Sequence, residues 1–397
     1  MSFRGRVLHV TPAFAPAYRI GGPVRSLEGL LCELLGLGVD ARVVTTDSNG
    51  SDRLDVPRGW TAWKGVPVLY MPRVLPPSFS PGLGMLAYRE ARHADVVHVT
   101  GLFSSASIQG LVAAISAGRP VVLSPRGVLQ AEALKFGRSA RKKAFLRAVS
   151  PLLARVSLFH ATSEEEAQSI KDVLGPNAPV FVVPNGVPLA HVSVVQARRS
   201  RQPERPRIGF VGRLHPIKAL ERLIDACALL RDRGNDFELR IAGPAPDPRY
   251  RQSLVERVER LGLTECTSFE GEVLGERKDD FYASLRVLVL PSRSENFGNV
   301  VVEALALGTP AIASLGTPWR CLEDVGAGRW VSNDPVSLAN AIEPYLQNRE
   351  LAESAGAKGR RLVEERYTSR AAAKAMSDAY ERACLVHRRV APARAHG

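Results

Sequence analysis

Short runs of β-branched residues alternate with amphipathic segments along the chain, and the series occurs twice. The first series has strand patterns at 6–10, 41–46, 66–70, 95–99, 121–124, 157–161 and 180–183, with helical patterns at 23–35, 104–117, 139–154 and 163–174. The second has strand patterns at 207–211, 238–242, 267–269, 287–290 and 310–314, with helical patterns at 218–233, 248–262, 299–307 and 335–347. Nearly continuous apolar strands between helices are typical of parallel sheets covered on both faces. The pattern therefore predicts an α/β protein with two doubly wound, Rossmann-like domains.

The length of 397 residues is too great for one ordinary core and also favours two domains. We expect an N-terminal domain over 1–190, a polar and basic linker over 191–206, and a C-terminal domain over 207–368. A helix at 369–387 is expected to pack across the junction, and a basic tail follows at 388–397. Two such domains would face each other across a cleft, with ligands at the carboxyl ends of the strands.

The composition is that of a soluble globular protein, with 45% hydrophobic and 23% charged residues. No run of 18 apolar residues predicts a transmembrane helix, and the N-terminus lacks the apolar region of a signal peptide. Five cysteines are scattered without paired spacing, which argues against a disulfide framework and against a zinc site. We therefore expect a cytoplasmic location.

The net charge of +13 is concentrated in the first 200 residues, which hold 23 Lys and Arg against 13 Asp and Glu. Apolar residues recur at helical spacing through the most basic stretch, which predicts a basic amphipathic helix. Its cations are Arg138, Arg141, Lys142, Lys143 and Arg147. Such a helix can attract an anionic membrane surface by roughly 1 kcal/mol per basic residue. It can equally be a surface helix whose apolar face packs on its own sheet, and both interpretations remain open.

Two glutamates eight positions apart form the most informative motif. Glu295 and Glu303 follow the apolar run at 287–290, with Gly298 between them and a helical pattern from 299 onward. A strand that leads through a glycine-containing turn into a helix creates a helix N-terminus, whose N–H groups and macrodipole favour anions. A ligand with phosphate and hydroxyl groups would suit this place. Taken alone, Glu303 is also explained as a carboxylate that stabilises the helix end by roughly a few tenths of a kcal/mol.

A second polar loop follows the first strand of the C-terminal series, at 210–218. Gly212 permits a tight turn, and Arg213 and Lys218 place two cations at the carboxyl end of that strand. Glu295 is expected at the same sheet edge. Fixed cations together with backbone amides suit a diphosphate. Surface arginines and lysines are usually only solvated, but their coincidence with the glutamate pair favours a functional interpretation.

In these residues the chain resembles the retaining, GT-B-fold glycosyltransferases of family 4, which move sugars from nucleotide-sugar donors. The resemblance covers nearly the whole chain and is to the bacterial surface-polysaccharide type. It rests on the Glu-x7-Glu element at 295–303, the Val-Gly-Arg-Leu-x-x-x-Lys loop at 211–218, the Val-Pro-Asn-Gly-Val turn at 183–187 and the Gly-Gly-Pro loop at 21–23. Together these motifs are specific to the superfamily but not to one substrate.

The resemblance implies a role for each matching residue. Arg213 and Lys218 would neutralise charge on the departing diphosphate. Glu303 would bind the ribose hydroxyls, and Glu295 would hold the hydroxyls of the transferred sugar. The remaining residues expected to bind the donor are Gly21, Gly22, Gly212, Asn296, Phe297, Gly298 and Asn299.

The chain departs from the family pattern after the fifth strand of the N-terminal domain. Many relatives have a histidine in this turn, where this chain reads Ser-Pro-Arg-Gly at 124–127. Arg126 would take that position as a further catalytic residue, directed toward the donor or a phosphorylated acceptor. His98 lies within a strand pattern and is interpreted as a buried core histidine, and Trp319 as a packing residue.

The resemblance implies a hexosyltransferase that uses a nucleotide-diphosphate sugar and a lipid-linked or saccharide acceptor in cell-surface polysaccharide assembly. Metal-dependent transferases hold a cation on an Asp-x-Asp pair, which this sequence lacks, so no metal and no cofactor are expected. Peripheral attachment to the inner face of the membrane is a further expectation. The alternatives are a nucleotide-sugar epimerase, a phosphorylase on the same fold, or a non-catalytic regulatory subunit that binds nucleotide sugar. A nicotinamide-dependent dehydrogenase is disfavoured because no Gly-x-Gly-x-x-Gly follows either opening strand, and nucleic-acid binding has no supporting motif.

Overall fold

The computed structural model of the chain describes residues 3–75, 78–135, 139–189, 192–200 and 203–390. The backbone divides into two compact units. The first comprises Met1–Pro188 together with Ser369–Gly397, and the second comprises Leu189–Thr368. Each unit is built on one large, mainly parallel sheet, which confirms the predicted α/β class with two Rossmann-like sheets.

The first unit contains an eight-stranded sheet of order β10-β9-β8-β7-β1-β2-β6-β5 and a separate two-stranded hairpin, β3-β4. All neighbours in the large sheet run parallel except β5 and β6. The strands are β1 (Arg6–Val10), β2 (Asp40–Thr46), β3 (Ser48–Asn49), β4 (Asp52–Arg53), β5 (Trp60–Trp63), β6 (Val66–Met71), β7 (Val96–Thr100), β8 (Val121–Ser124), β9 (Leu158–Ala161) and β10 (Val180–Val182).

Helices connect these strands and cover the sheet. They are α1 (Gly22–Gly36), α2 (Leu83–Ala91), α3 (Ser105–Ser116), α4 (Ala131–Lys135), α5 (Ser139–Leu153) and α6 (Glu164–Leu174). Every residue of β7 and β8 is buried, as expected for strands covered on both faces. Two apolar clusters result, one containing Leu27, Leu31 and Leu34 of α1 and the other containing Leu111 of α3.

The second unit has a six-stranded parallel sheet of order β13-β12-β11-β14-β15-β16. Its strands are β11 (Arg207–Val211), β12 (Glu238–Ala242), β13 (Thr267–Gly271), β14 (Val287–Leu290), β15 (Ala311–Ser314) and β16 (Gly328–Val331). Its helices are α7 (Val192–Arg199), α8 (Leu220–Asp232), α9 (Pro248–Arg260), α10 (Glu276–Ser284), α11 (Asn299–Ala306), α12 (Cys321–Asp324), α13 (Pro335–Gln347) and α14 (Arg349–Arg366).

The structure adds detail to two segments of the predicted organisation. The expected linker at 191–206 contains helix α7, and Arg199 of this helix donates to Thr309 Oγ1 at 2.9 Å within the second unit. The last helix, α15 (Ser369–Val390), is grouped with the first unit, and its expected packing across the junction stays a prediction. Its small and apolar residues, including Met376, Ala379 and Tyr380, are part of the same core cluster as α1. Of the predicted tail, residues 388–390 extend this helix, and 391–397 lie outside the described residues.

Candidate functional site

The loops that carry the predicted donor site lie at the reversal of strand order in the second sheet. Strand β11 pairs with β12 on one side and β14 on the other, so the loops after β11 and β14 leave the same sheet edge. In open parallel sheets, ligands bind at such a point. A backbone hydrogen bond joins the two loops, from Arg293 N to Ile217 O at 2.8 Å.

The loop after β11 is fixed by backbone contacts. Leu214 N donates to Pro244 O at 2.9 Å, and His215 Nδ1 accepts from Ile217 N at 3.2 Å at the start of a 3-10 turn. Ala219 follows in the left-handed region, with φ 51° and ψ 40°. Arg213 is exposed, whereas the Lys218 side chain is 17% exposed. The geometry therefore holds Lys218 against the sheet edge and leaves Arg213 open to solvent.

Lys218 and Glu295, predicted from separate motifs, are in direct contact. Lys218 Nζ pairs with Glu295 Oε1, and Ser292 Oγ donates to the same oxygen at 2.7 Å. The Glu295 side chain is 12% exposed, and its backbone N donates to Gly316 O at 2.9 Å. Two opposite charges are thus held at one partly buried place. Each charge compensates the other when no ligand is present.

The turn at 296–299 leads into helix α11. Gly298 has φ 81° and ψ 61°, in the left-handed region that favours glycine, and an added Cβ would lie 2.9 Å from Leu290 Cδ2. The Phe297 ring is buried, with its centroid 5.2 Å from that of Trp319. Trp319 is only 1% exposed and donates its indole N–H to the Phe297 carbonyl. Phe297 and Trp319 are therefore packing residues that shape the turn, while Asn296 and Asn299 are partly exposed.

Glu303 lies on α11 and is held by two residues that the sequence motifs did not identify. Its Oε2 accepts a hydrogen bond from Tyr282 OH at 2.7 Å and lies 2.6 Å from Lys278 Nζ. Both partners belong to α10, which the sequence pattern did not predict as a helix. No periodic signal connected α10 with Glu303, because the contact joins residues more than 20 positions apart.

The other predicted residues belong to the first unit. Gly21 has φ 102° and precedes α1, which begins at Gly22, and both glycines are partly exposed. Arg126 lies just after β8 in the left-handed region, at φ 60°. Its guanidinium Nη1 donates to Asn185 Oδ1 at 2.7 Å, in the turn that carries another of the predicted motifs.

The Arg126 turn is braced by Glu166 at the start of α6. The Glu166 carboxylate accepts from Gly127 N at 2.6 Å and from Thr162 N at 2.7 Å. Within the described ranges Arg126 has no ion pair, and its Nε is buried without a hydrogen-bond partner. Burial lowers the pKa of Arg126, with the charge of Glu166 acting in the opposite direction. The arrangement can accept an anion.

Beneath this turn the sheet contains a buried chain of polar groups. His98 is fully buried, as predicted, with Nε2 2.7 Å from Ser124 Oγ and Nδ1 2.9 Å from Tyr380 OH. Ser124 Oγ lies 2.7 Å from His160 Nδ1, and Tyr380 OH lies 3.1 Å from His9 Nε2. Burial lowers the pKa of His9 and of His160 to about 3, with the charge of Arg126 adding to the effect.

The predicted basic helix is observed as α5, and its apolar side packs within the first unit. Val149 and Leu153 are buried, and the Phe145 ring centroid lies 5.2 Å from that of Phe103. The cations Arg141, Lys143 and Arg147 are exposed, whereas Lys142 Nζ donates to Ala133 O at 2.6 Å. Arg138 lies outside the described residues.

Among the described residues, no group of three or more His, Cys, Asp or Glu side chains is arranged to hold a metal ion. Each helix in the described ranges is too short or too polar to cross a lipid bilayer.

Both halves of the chain match known protein families. Residues 21–186 match the family described as "Glycosyl transferase 4-like domain", and residues 205–348 match "Glycosyl transferases group 1". Curated relatives include the D-inositol 3-phosphate glycosyltransferase of Streptomyces griseus, 34% identical over 47% of this chain and 41% of that protein. The enzyme of the same name from Geodermatophilus obscurus is 30% identical over 68% of this chain and 63% of that protein. In the first two such relatives the matched segment spans about half of their own length, 41% and 57%.

Solved structures share the fold over nearly the whole chain. Anabaena HepE in complex with UDP-glucose has a TM-score of 0.74 at 19% identity and covers 95% of this chain and 99% of its own. Sucrose-phosphate synthase from Thermosynechococcus elongatus has the same TM-score and identity, covering 95% and 98%. WaaG, a glycosyltransferase involved in lipopolysaccharide biosynthesis, has a TM-score of 0.68 at 16% identity, covering 94% and 99%. These likenesses confirm the predicted GT-B fold, and both family matches are to glycosyltransferase families.

Proposed function

We propose that this chain, whose two domains belong to glycosyltransferase families, is a retaining hexosyltransferase that uses a nucleoside-diphosphate sugar. The observation that carries the proposal is the contact of Lys218 with Glu295 at the strand reversal of the second sheet, beside the start of α11. A cation for a leaving diphosphate and a carboxylate for sugar hydroxyls are thereby held at one place. The retaining outcome is taken from the family resemblance.

The donor would lie along the loops after β11 and β14. Its diphosphate would contact Arg213, Lys218 and the first backbone amides of α11, where the helix macrodipole favours negative charge. Its ribose hydroxyls would donate to Glu303. The hydroxyls of the hexose would donate to Glu295 as Lys218 turns toward the phosphate. Solved neighbours such as HepE bind UDP-glucose, which supports a donor of this class.

The reaction breaks the bond between the anomeric carbon and the diphosphate oxygen, and that oxygen keeps the electron pair. The anomeric carbon then bonds to an acceptor hydroxyl oxygen, whose proton passes to an oxygen of the departing diphosphate. Arg213 and Lys218 would stabilise the charge on the leaving diphosphate, as preorganised cations do in a partly buried site. On this proposal the chemistry needs no metal and no cofactor.

Arg126 supports a role in binding the acceptor or the donor phosphate. It is a partly buried cation whose hydrogen-bond acceptor is the neutral amide of Asn185, so an incoming anion would offset its desolvation. We propose a lipid-linked or saccharide acceptor of cell-surface polysaccharide assembly that carries phosphate. A phosphorylated polyol is the second candidate acceptor. It is favoured by the cation of Arg126 and by the similarity of this chain to D-inositol 3-phosphate glycosyltransferases.

We also propose that the enzyme works in the cytoplasm at the inner face of the membrane. The exposed Arg141, Lys143 and Arg147 of α5 form a basic surface that anionic lipid would attract. Replacing all three with glutamate should release the protein from anionic vesicles in sedimentation. Unchanged binding would reject α5 as the contact.

Ligand stabilisation is the direct test of the proposed function. The full chain in EDTA is heated with UDP, GDP, ADP and their common sugar conjugates. A ligand at 100 times its Kd stabilises by about 2.7 kcal/mol, enough to raise Tm by several degrees. We expect one base to stabilise the protein, with no loss in EDTA. If no nucleotide raises Tm of the folded protein, the donor site at Lys218 and Glu303 is wrong.

The identified donor is then incubated with candidate acceptors. A glycosylated product with release of the nucleoside diphosphate supports a transferase. Conversion of the donor sugar without an acceptor would indicate an epimerase, and a requirement for free phosphate would indicate a phosphorylase.

A further inference from the structure

In the described part of the chain, only one oxygen of the Glu303 carboxylate is held by neighbouring side chains. Both of its contacts, from Tyr282 OH at 2.7 Å and Lys278 Nζ at 2.6 Å, fall on Oε2. Within the described residues no hydrogen bond to Oε1 is observed. A carboxylate oxygen can accept more than one hydrogen bond, so Glu303 keeps its acceptor capacity mainly at Oε1.

Lys278 and Tyr282 form a rigid support on α10. They are four positions apart and therefore lie on the same helix face, and Lys278 Nζ lies 5.7 Å from the centroid of the Tyr282 ring. Tyr282 is 1% exposed, and its carbonyl accepts from Thr309 Oγ1 at 2.7 Å. This support is tied to the loop before β15, so it cannot follow the glutamate if the glutamate changes rotamer.

Lys278 and Glu303 form a partly buried ion pair. Lys278 is a donor only, and the side chains of Lys278 and Glu303 are 16% and 18% exposed, so their attraction is incompletely screened. An ion pair of this kind fixes the carboxylate in one rotamer before any ligand arrives. Preorganisation of an acceptor reduces the ordering that binding would otherwise require.

We propose that Lys278 and Tyr282 are positioning residues that aim Glu303 Oε1 at a ribose hydroxyl and thereby set a preference for ribonucleotide donors. The proposal rests on the proposed function, since it assigns the nucleotide to this site. A ribose hydroxyl donates to Oε1 while Oε2 stays on α10. A deoxy donor leaves Oε1 without that hydrogen bond. Because a hydrogen bond to a charged group is stronger than a neutral one, loss of the hydroxyl should weaken binding roughly 10- to 100-fold.

The test measures the ratio of Kd values for deoxy and ribo ligands by calorimetry on the full chain. The probes are the ribonucleoside diphosphate that stabilises the protein, its 2′-deoxy and 3′-deoxy forms, and the corresponding ribonucleoside monophosphate. The variants are Lys278→Met, which keeps the length and removes the charge, Lys278→Arg, which keeps the charge, and Tyr282→Phe. Lys358→Met is the control, because Lys358 is an exposed lysine on α14 of the same unit.

For the wild type we expect at least one deoxy form to bind roughly 10- to 100-fold more weakly. Lys278→Met should reduce that ratio several-fold, through weaker binding of the ribo form with little change for the deoxy form. Lys278→Arg should restore part of the ratio, and Lys358→Met should leave it unchanged. Tyr282→Phe should act in the same direction, and Tm of each variant shows that it is folded.

Four results would overturn the inference. Equal weakening of ribo and deoxy ligands by Lys278→Met would mean a purely structural role. Equal wild-type Kd values for ribo and deoxy forms would remove the preference itself while leaving the proposed transferase intact. A loss confined to diphosphates, with monophosphates bound normally, would place Lys278 on the phosphate instead of on Glu303. Failure of the wild type to bind any nucleoside diphosphate rejects this inference and the proposed function together.

Discussion

The two sheets carry different chemistry at the carboxyl ends of their strands. In the second unit, Lys218 pairs with Glu295 and Lys278 with Glu303, and all four side chains keep between 12% and 18% of their surface exposed. In the first unit, His98 and its neighbours are almost completely buried and share neutral hydrogen bonds. A partly exposed ion pair can exchange a partner for a ligand. A buried neutral chain has no such freedom and serves to fix the strands.

The carbonyl oxygen of Val183 fixes which atoms donate and which accept along the whole buried chain of polar groups. Val183 O can only accept, so His160 Nε2 donates to it at 2.8 Å, and His160 Nδ1 must accept from Ser124. Ser124 in turn accepts from His98 Nε2, and His98 Nδ1 accepts from Tyr380. Every imidazole is then neutral with a single proton. A second proton on His98 or His160 would make a donor of the nitrogen that accepts from a hydroxyl, and that hydroxyl would lose its acceptor, which agrees with the lowered pKa values of both residues.

This contrast predicts that the first unit unfolds at a higher pH than the second as the solution is acidified. A histidine with a folded pKa of about 3 and an unfolded value near 6.5 binds its proton only when unfolded, so stability falls as pH drops below about 6.5. At pH 5 His9 and His160 together should cost about 4 kcal/mol. Hydrogen exchange followed by mass spectrometry should show β1, β7 and β9 losing protection between pH 6.5 and 5 while β11 and β14 retain it. Parallel loss in both units would contradict the comparison.

Removing the Lys218 cation from the second unit should reduce turnover and leave the fold intact. For Lys218→Ala we expect kcat for nucleoside diphosphate release to fall roughly 10²- to 10³-fold, because the leaving group loses a preorganised cation. The measurement is a discontinuous assay of the released nucleotide, with Tm recorded in parallel. Lys358→Ala, at an exposed position of the same unit, is the matched control and should leave kcat unchanged. A near-normal kcat for Lys218→Ala would reject its role.

In the buried chain of polar groups of the first unit, a substitution should instead reduce stability. Tyr380→Phe removes the hydroxyl that serves both His98 and His9, so buried imidazole nitrogens lose their partners. Stability should fall by about 1–3 kcal/mol. Urea unfolding measures the change, and Tyr88→Phe on the exposed side of α2 is the control. Equal stability of Tyr380→Phe and wild type would show that the Tyr380 hydroxyl does not contribute to folding stability.

The smallest expected effect concerns the backbone beside Lys218. Ala219 adopts a left-handed conformation that costs a non-glycine residue roughly 1 kcal/mol, so Ala219→Gly should stabilise the protein by about 0.5–1 kcal/mol. Ala357→Gly, at an exposed site inside α14, should instead destabilise by about 1 kcal/mol. Chemical denaturation compares the two. If both glycines destabilise, the strain at Ala219 is relieved by its surroundings.

Strong periodic patterns predicted most of the fold. The bounds of β1, β8, β11, β12, β14 and α13 agree with the sequence patterns, because each combines an apolar run or helical stripe with a clear boundary. Helix α10 was missed because its sequence is polar, with few apolar positions to reveal a period. Helix α14 contains Gly356 and Gly359, which weaken the helical signal, yet a Cβ at Gly356 would lie 1.9 Å from Gly308 O. That close packing is a tertiary requirement.

The residue types that could carry chemistry were set by the sequence alone, since Glu295, Glu303, Arg213 and Lys218 follow strands that end at one sheet edge. The structure decided which of these groups touch. It pairs Lys218 with Glu295, gives Glu303 the unforeseen partners Lys278 and Tyr282, and leaves Arg126 a neutral amide as acceptor. Strand and helix patterns are local and leave their mark every two or three to four residues. Ion pairs between distant segments depend on how helices pack and leave no periodic trace.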